Sequence, residues 1–223
     1  MNMVPPAIAF LSALLKKEGH EVELFDSTYY DLNYGVDSEG IKAEQLNVVP
    51  FDLESRGIRM KTSDWREDLS AQVKRFAPDL IAVSSTEDMW ELALVMLGEL
   101  ENYLGVHGTP VIAGGVFPTF APQLVIKHPL IRMVCIGEGE NALVDLCEKL
   151  AKGESYESVT NLWVRRPDDS IKKNPISRPV DINENPTIDL SLFEEERLYR
   201  PMAGRIYKMF PIETHRGCPF PCR

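Results

Sequence analysis

Apolar residues recur three and four positions apart through residues 7–18, where Ile8, Leu11 and Leu15 share a face and Gly19 follows as a stop. That spacing predicts a helix, and HEVELFD at 20–26 reads as a short strand after it. The same alternation repeats along the chain. Trp65, Leu69, Val73 and Phe76 line one face of a helix over 64–77, Pro78 marks its exit, and DLIAVSS supplies the next strand. Asp88 is placed to cap a long helix over MWELALVMLGELENYL, ended by Gly105, ahead of the strand TPVIAGG and a short helix near 121–128. IRMVCIG and ENALVDLCEKLAKG make the last strand and helix pair. Because the strands are continuous apolar runs rather than alternating ones, helices are expected over both faces of a parallel sheet. The fold class is therefore α/β: a doubly wound, Rossmann-like sheet of the flavodoxin type, with VELF, LIAVS, VIAGG and MVCIG as its parallel strands.

Past residue 153 the pattern changes. NLWVRRPDDSIKKN at 161–174 reads as a β-hairpin lying outside the main sheet, and residues 175–205, rich in Pro, Asn, Asp and Glu, read as an extended linker. IYKMFPIETHRG then looks like the opening strand of a second domain. The expected divisions are 1–155 for the α/β domain, 156–204 for hairpin and linker, and 205–223 for the start of the second domain. A doubly wound unit opens with a strand that leads into its first helix, yet only MNMV precedes PPAIAF. The first strand is therefore expected to be missing, with a gap or unusual pairing beside LIAVS.

Composition narrows the function classes. The 223 residues, 44% hydrophobic and 26% charged, suffice for one sizeable core. With 24 basic against 34 acidic residues the chain carries −10, and no basic stripe offsets that repulsion, so a nucleic-acid partner is excluded. No apolar run reaches the ~20 residues of a membrane span. In MNMVPPAIAFLSALLKKEGH the lysines follow the apolar part, the reverse of a secretory signal, and the chain is expected to be cytoplasmic. Cysteines at 135, 147, 218 and 222 do not form a disulfide-dense framework. Cys135 in MVCIG and Cys147 on an apolar helix face read as plain core.

In an open α/β sheet ligands bind beyond the carboxyl ends of the strands. Three loops there are unusual: SSTED at 84–88 with three consecutive hydroxyls, GGVFPTF at 114–120 with a glycine pair, and GEGEN at 137–141. Each alone is readable as a turn; together on one edge they point to a ligand site, because glycines let backbone approach closely and hydroxyls satisfy polar ligand edges. A long insertion, 27–63, leaves the same edge. GEGEN lacks the third glycine of a dinucleotide fingerprint and follows the last strand rather than the first. At the end of the chain, RGCPFPC holds Cys218 and Cys222 in a C-x3-C pair, which by itself is compatible with zinc or with nothing.

The order of PPAIAFLSALLKKEGHEVELFD, DLIAVSSTED, VIAGGVFPTFAP and IGEGEN, followed by a hairpin, a linker and RGCPFPC, resembles the amino-terminal half of cobalamin-dependent radical S-adenosylmethionine enzymes, over nearly the whole chain. In that superfamily a C-x3-C-x2-C loop binds a 4Fe-4S cluster whose open iron takes S-adenosylmethionine. Cys218 and Cys222 match its first two positions, and the third would fall two residues beyond Arg223. The resemblance implies a cobalamin tail cradled by Ser84, Ser85 and Thr86 on one side and by Gly114, Gly115, Pro118 and Thr119 on the other, with Gly137, Glu138 and Gly139 near its nucleotide end. None of His20, His107, His128 and His215 lies in the D-x-H-x-x-G motif that ligates cobalt in many cobalamin domains, so no protein histidine on cobalt is expected. The implied activity of the parent enzyme is methyl transfer to an unactivated carbon of a small-molecule substrate. Ring closure of the kind made on a magnesium-protoporphyrin ester, and a non-catalytic module that no longer binds cobalamin, are the alternatives. Residues 1–223 alone are expected to be inactive.

Overall fold

The computed structural model describes residues 4–30, 32, 45, 54–203 and 205–217. The chain divides into two units, Phe25–Ser177 and Met1–Leu24 with Arg178–Arg223. Helix α1 (Pro6–Lys17) belongs to the second. The first contains α2 (Trp65–Phe76), α3 (Trp90–Glu99), α4 (Glu101–His107), the short α5 (Val116–Phe120) and α6 (Pro122–Val125), and α7 (Glu140–Lys152).

The larger unit is built on five strands in the order β1 (Ile81–Ser84), β2 (Val111–Gly114), β3 (Met133–Cys135), β4 (Leu162–Arg165) and β5 (Ile171–Lys173). β1, β2 and β3 run parallel, as their apolar runs predict. All three residues of β3 and Val111, Ile112 and Ala113 of β2 are buried, so both faces of the sheet centre are covered. One face meets Leu69 and Val73 of α2, Leu97 of α3 and Leu104 of α4 in a single apolar cluster. Burying each such side chain contributes ~1.5–3 kcal/mol. This is the mixed Rossmann-like α/β fold, with the parallel carboxyl ends brought to one edge.

Helix boundaries follow local chemistry. The Asp64 side chain accepts the Arg66 N–H at 2.9 Å to start α2, and α7 stops at Gly153, in the left-handed region at φ 65°. The long helix read over 89–104 is two helices meeting at Leu100, and it ends at Gly108 (φ 66°) rather than Gly105. Asp88 does not cap it.

Two expectations about strands are corrected. The hairpin over 161–174 is not outside the sheet: β4 pairs antiparallel with β3, Val134 opposite Trp163, and β5 pairs with β4. The reason lies in the alternation of β4, whose Leu162 and Val164 are 0% and 1% exposed; with an apolar face to bury and a free edge of β3 to pair with, it extends the sheet. Conversely, residues 20–27 carry no ladder despite the apolar VELF pattern. A strand exists only where a neighbour takes up its N–H and C=O groups, and among the described residues none pairs with this segment. β1 stands at the sheet edge, its outer side unpaired among the described residues, while Met1–Met3 of MNMV lie outside them.

In the smaller unit α1 buries Ala9, Ser12 and Leu15 on one face. Asp189 fastens the later segment to it, its N–H donating to Ala9 O at 3.0 Å and its carboxylate accepting from Ser12 Oγ and Lys16 Nζ at 2.6 Å. β6 (Tyr199–Met202) and β7 (Arg205–Lys208) form an antiparallel pair. Among the described residues no helix is long and apolar enough to cross a membrane.

Candidate functional site

β1 and β2 stay in register to their last residues, Ser84 opposite Gly114, so the loops that follow start side by side. The ladder then continues one step further: Ser85 N–H donates to Gly114 O at 3.1 Å, and Ser85 O accepts the Phe117 N–H at 3.3 Å. The Ser85 hydroxyl donates to Thr86 O at 2.8 Å. At 6% exposure, Ser85 joins the first two loops, while Ser84 and Thr86 face solvent. The Thr86 hydroxyl donates to the Asp88 carboxylate, and Met89, not Asp88, stands at the start of α3.

Gly115 makes this junction possible. Its φ is +100°, and a Cβ there would stand 2.9 Å from Ser85 O, 3.0 Å from Ser85 N and 3.2 Å from Ser84 Oγ. Glycine alone lets the second loop close so tightly on the first. At Gly114 a Cβ would meet Cys135 Cβ at an ordinary 3.8 Å.

The third loop is tied to the second by one bond, from Gly137 N–H to Thr119 Oγ1 at 3.1 Å. Pro118 is buried within α5. Glu138 is half-buried and turns its carbonyl toward the Asn161 amide nitrogen, 2.7 Å away, and the Cys135 thiol, 3.9 Å away. Gly139 precedes α7, its carbonyl accepting the Leu143 N–H at 2.8 Å. The sequence-derived residues of all three loops thus form one connected edge. It offers exposed hydroxyls and glycine backbone, together with the exposed acidic residues Glu87 and Asp88 of the first loop. Glu140, 7% exposed in the first turn of α7, places acidic side-chain chemistry at that helix start, which disfavours an anion there.

Cys135 is core, whereas Cys147, also expected there, is only half-buried on α7. Burial, reinforced by Glu140, pushes the Cys135 thiol up to about 12, and burial with Asp79 pushes Cys147 to about 11. Both are neutral thiols at pH 7. Cys218 and Cys222 lie outside the described residues, and among those described no group of three or more His, Cys, Asp and Glu could hold a metal ion.

Three residues at this edge escape the sequence reading. Trp90 follows the first loop, Phe117 sits in the second, and their rings pack 5.6 Å apart at 45°. An aromatic two residues after SSTED and another inside GGVFPTF were the available signal. Asn161 offered none, since an asparagine ahead of a strand is an ordinary turn residue.

Residues 1–147 match the B12 binding domain family. This chain belongs to that family. It is 24% identical over 232 residues to the uncharacterized methyltransferase PH0819 of Pyrococcus horikoshii, covering 98% of this chain and 39% of that one. Among solved structures it resembles the cobalamin-dependent S-adenosylmethionine radical enzyme OxsB with aqua-cobalamin and S-adenosylmethionine bound, at 22% identity and a TM-score of 0.58 over 86% of this chain and 22% of that one. The radical S-adenosylmethionine methyltransferase TsrM of Kitasatospora setae, bound to tryptophan and an S-adenosylmethionine analogue, matches at 18% identity and a TM-score of 0.53, over 78% of this chain and 28% of that one. These structural likenesses speak to the fold. The chain spans less than two-fifths of the length of each of these three proteins.

Proposed function

We propose that this chain is the cobalamin-holding part of a radical S-adenosylmethionine enzyme, a methyltransferase acting on an unactivated carbon. The observation that carries the reading is the connected edge: in a member of the B12 binding domain family, three loops at the carboxyl ends of parallel strands are joined through Ser85, Gly115, Thr119 and Gly137. The residues fit the group. A long tail rich in amides asks for hydroxyls and close backbone, and Ser84, Thr86 and the exposed Gly137 offer these. Ser85, Gly114, Gly115, Pro118 and Thr119 would shape the slot, and Glu138 and Gly139 would close the nucleotide end. Cobalamin, when bound, supplies a transferable methyl group, and the protein's part is to bind and orient it. In the same reading Cys218 and Cys222 contribute thiolates to a 4Fe-4S cluster that takes S-adenosylmethionine, soft sulfur being the ligand such clusters need. The cobalamin domain is assigned to 1–155, the hairpin and linker to 156–204, and the start of the radical domain to 205–223.

Titration with hydroxocobalamin followed by reduction and electron paramagnetic resonance tests the reading. A retained cob(II)alamin without nitrogen splitting from an axial ligand is expected, because the tail held in the slot keeps its own base off cobalt and no histidine stands among the proposed tail residues to replace it. Free cobalamin after desalting, or a clear nitrogen splitting, would contradict it.

A further inference from the structure

Asn161 is 2% exposed and holds φ +66°, a left-handed conformation that asparagine tolerates better than other non-glycine residues. Burying a primary amide is unfavourable by several kcal/mol unless its bonds are made. Here they are made. Its N–H donates to Pro175 O at 3.0 Å, and its carbonyl accepts the Ile136 N–H at 2.9 Å. The side-chain nitrogen donates to Glu138 O at 2.7 Å and Ser177 Oγ at 3.2 Å, while the side-chain oxygen accepts the Ser177 N–H at 2.6 Å. One residue therefore bridges the loop leaving β3 and the segment leaving β5. The sheet ladder itself needs none of the side-chain bonds, since β4 pairs with β3 from Leu162 onward. The bond to Glu138 O, at 2.7 Å, is at the short end of the normal range, whereas the thiol of Cys135 on the same carbonyl is a weak donor at 3.9 Å.

We propose that Asn161 is a positioning residue, acting through the Glu138 carbonyl to fix Gly137–Gly139 in the shape that completes the cofactor edge. The inference rests on the cobalamin reading above. Gly137 ties this loop to Thr119 on its other side, so the loop is held at both ends, and loosening Glu138 lets the nucleotide end of the slot open.

The test uses the full chain and two readouts: dissociation of hydroxocobalamin, and backbone amide exchange at residues 136–140 without cofactor. Asn161→Gly keeps the left-handed backbone and deletes every side-chain bond. Asn161→Asp keeps the oxygen that accepts from the Ser177 N–H and removes the donor to Glu138 O and to Ser177 Oγ, the second of which Ser177→Ala removes alone. Ser177→Ala leaves the Glu138 bond in place. Both Asn161 variants are expected to release cobalamin about tenfold faster and to exchange faster at 136–140, with Ser177→Ala within about twofold of the parent. Parent-like dissociation in Asn161→Asp, or acceleration in Ser177→Ala equal to that in Asn161→Gly, overturns the proposal. If the parent chain retains no cobalamin, the cofactor reading fails by itself; the exchange experiment then still decides, and parent-like exchange in Asn161→Asp overturns the positioning role.

Discussion

Gly115 and Gly137 both hold positive φ, yet they occupy different situations. A Cβ at Gly137 would meet nothing within 4 Å, so Gly137→Ala bears only the backbone preference, about 1 kcal/mol. At Gly115 the same Cβ collides with the backbone of Ser85, and the first two loops must separate. Gly115→Ala should therefore lose ~2–4 kcal/mol of unfolding free energy in urea, together with any retained cobalamin, while Gly137→Ala stays near its small penalty. Equal losses in the two variants would show that the close approach does not matter. The importance of the glycine pair was legible in GGVFPTF, but which of the two is indispensable was not, because that depends on where Ser85 lies across the ladder. Cys135 was legible as core from its apolar surroundings, whereas Cys147, read the same way, is only half-buried; the raised values of both supply a check. In a chain carrying Cys218→Ser and Cys222→Ser, neither remaining thiol should react promptly with a thiol reagent at pH 8, and both should react in denaturant. Fast native labelling of Cys135 would contradict its burial.

At the scale of elements, Asp189 shows how a loop carboxylate can fasten a helix. Burial by itself would raise its carboxyl, but hydrogen bonds from Lys16, Ser12 and Ser191 outweigh that and hold it well below the usual carboxylate range. A group depressed in the folded state stabilises above its unfolded value of about 3.9 and loses that contribution as pH falls through its folded value. Asp189→Asn should thus cost ~1–3 kcal/mol at neutral pH, with the gap to the parent narrowing below about pH 4. A gap independent of pH would remove the charge from the account. This contact joins positions 177 residues apart in sequence and left no trace in local periodicity. The same limit explains the strands. Apolar runs correctly located β2 and β3, because a strand buried on both faces announces itself locally, and β1, though half-exposed at the sheet edge, carries the same kind of run. Whether VELF or LWVR enters the sheet depends instead on tertiary pairing that local periodicity does not encode: LWVR pairs with β3, whereas VELF pairs with no strand among the described residues although the outer edge of β1 is open.

At the scale of the whole molecule, the account assigns cofactor binding to an edge built entirely from residues of the larger unit, within a chain of net charge −10 that spans 39% of its methyltransferase relative in Pyrococcus horikoshii. The three loops were legible before the structure because strand ends, glycine pairs and consecutive hydroxyls are local features. Their connection through Ser85, Gly115 and the Thr119–Gly137 bond was not, since it arises only once the strands lie in register. The most direct measurement is gel filtration of the 223-residue chain after incubation with excess hydroxocobalamin at micromolar concentration, with Gly115→Ala run alongside. The account predicts that cobalamin absorbance co-elutes with the parent protein in stoichiometric amount and is absent from Gly115→Ala. Cobalamin eluting wholly apart from the parent chain, or equally with both proteins, would contradict it.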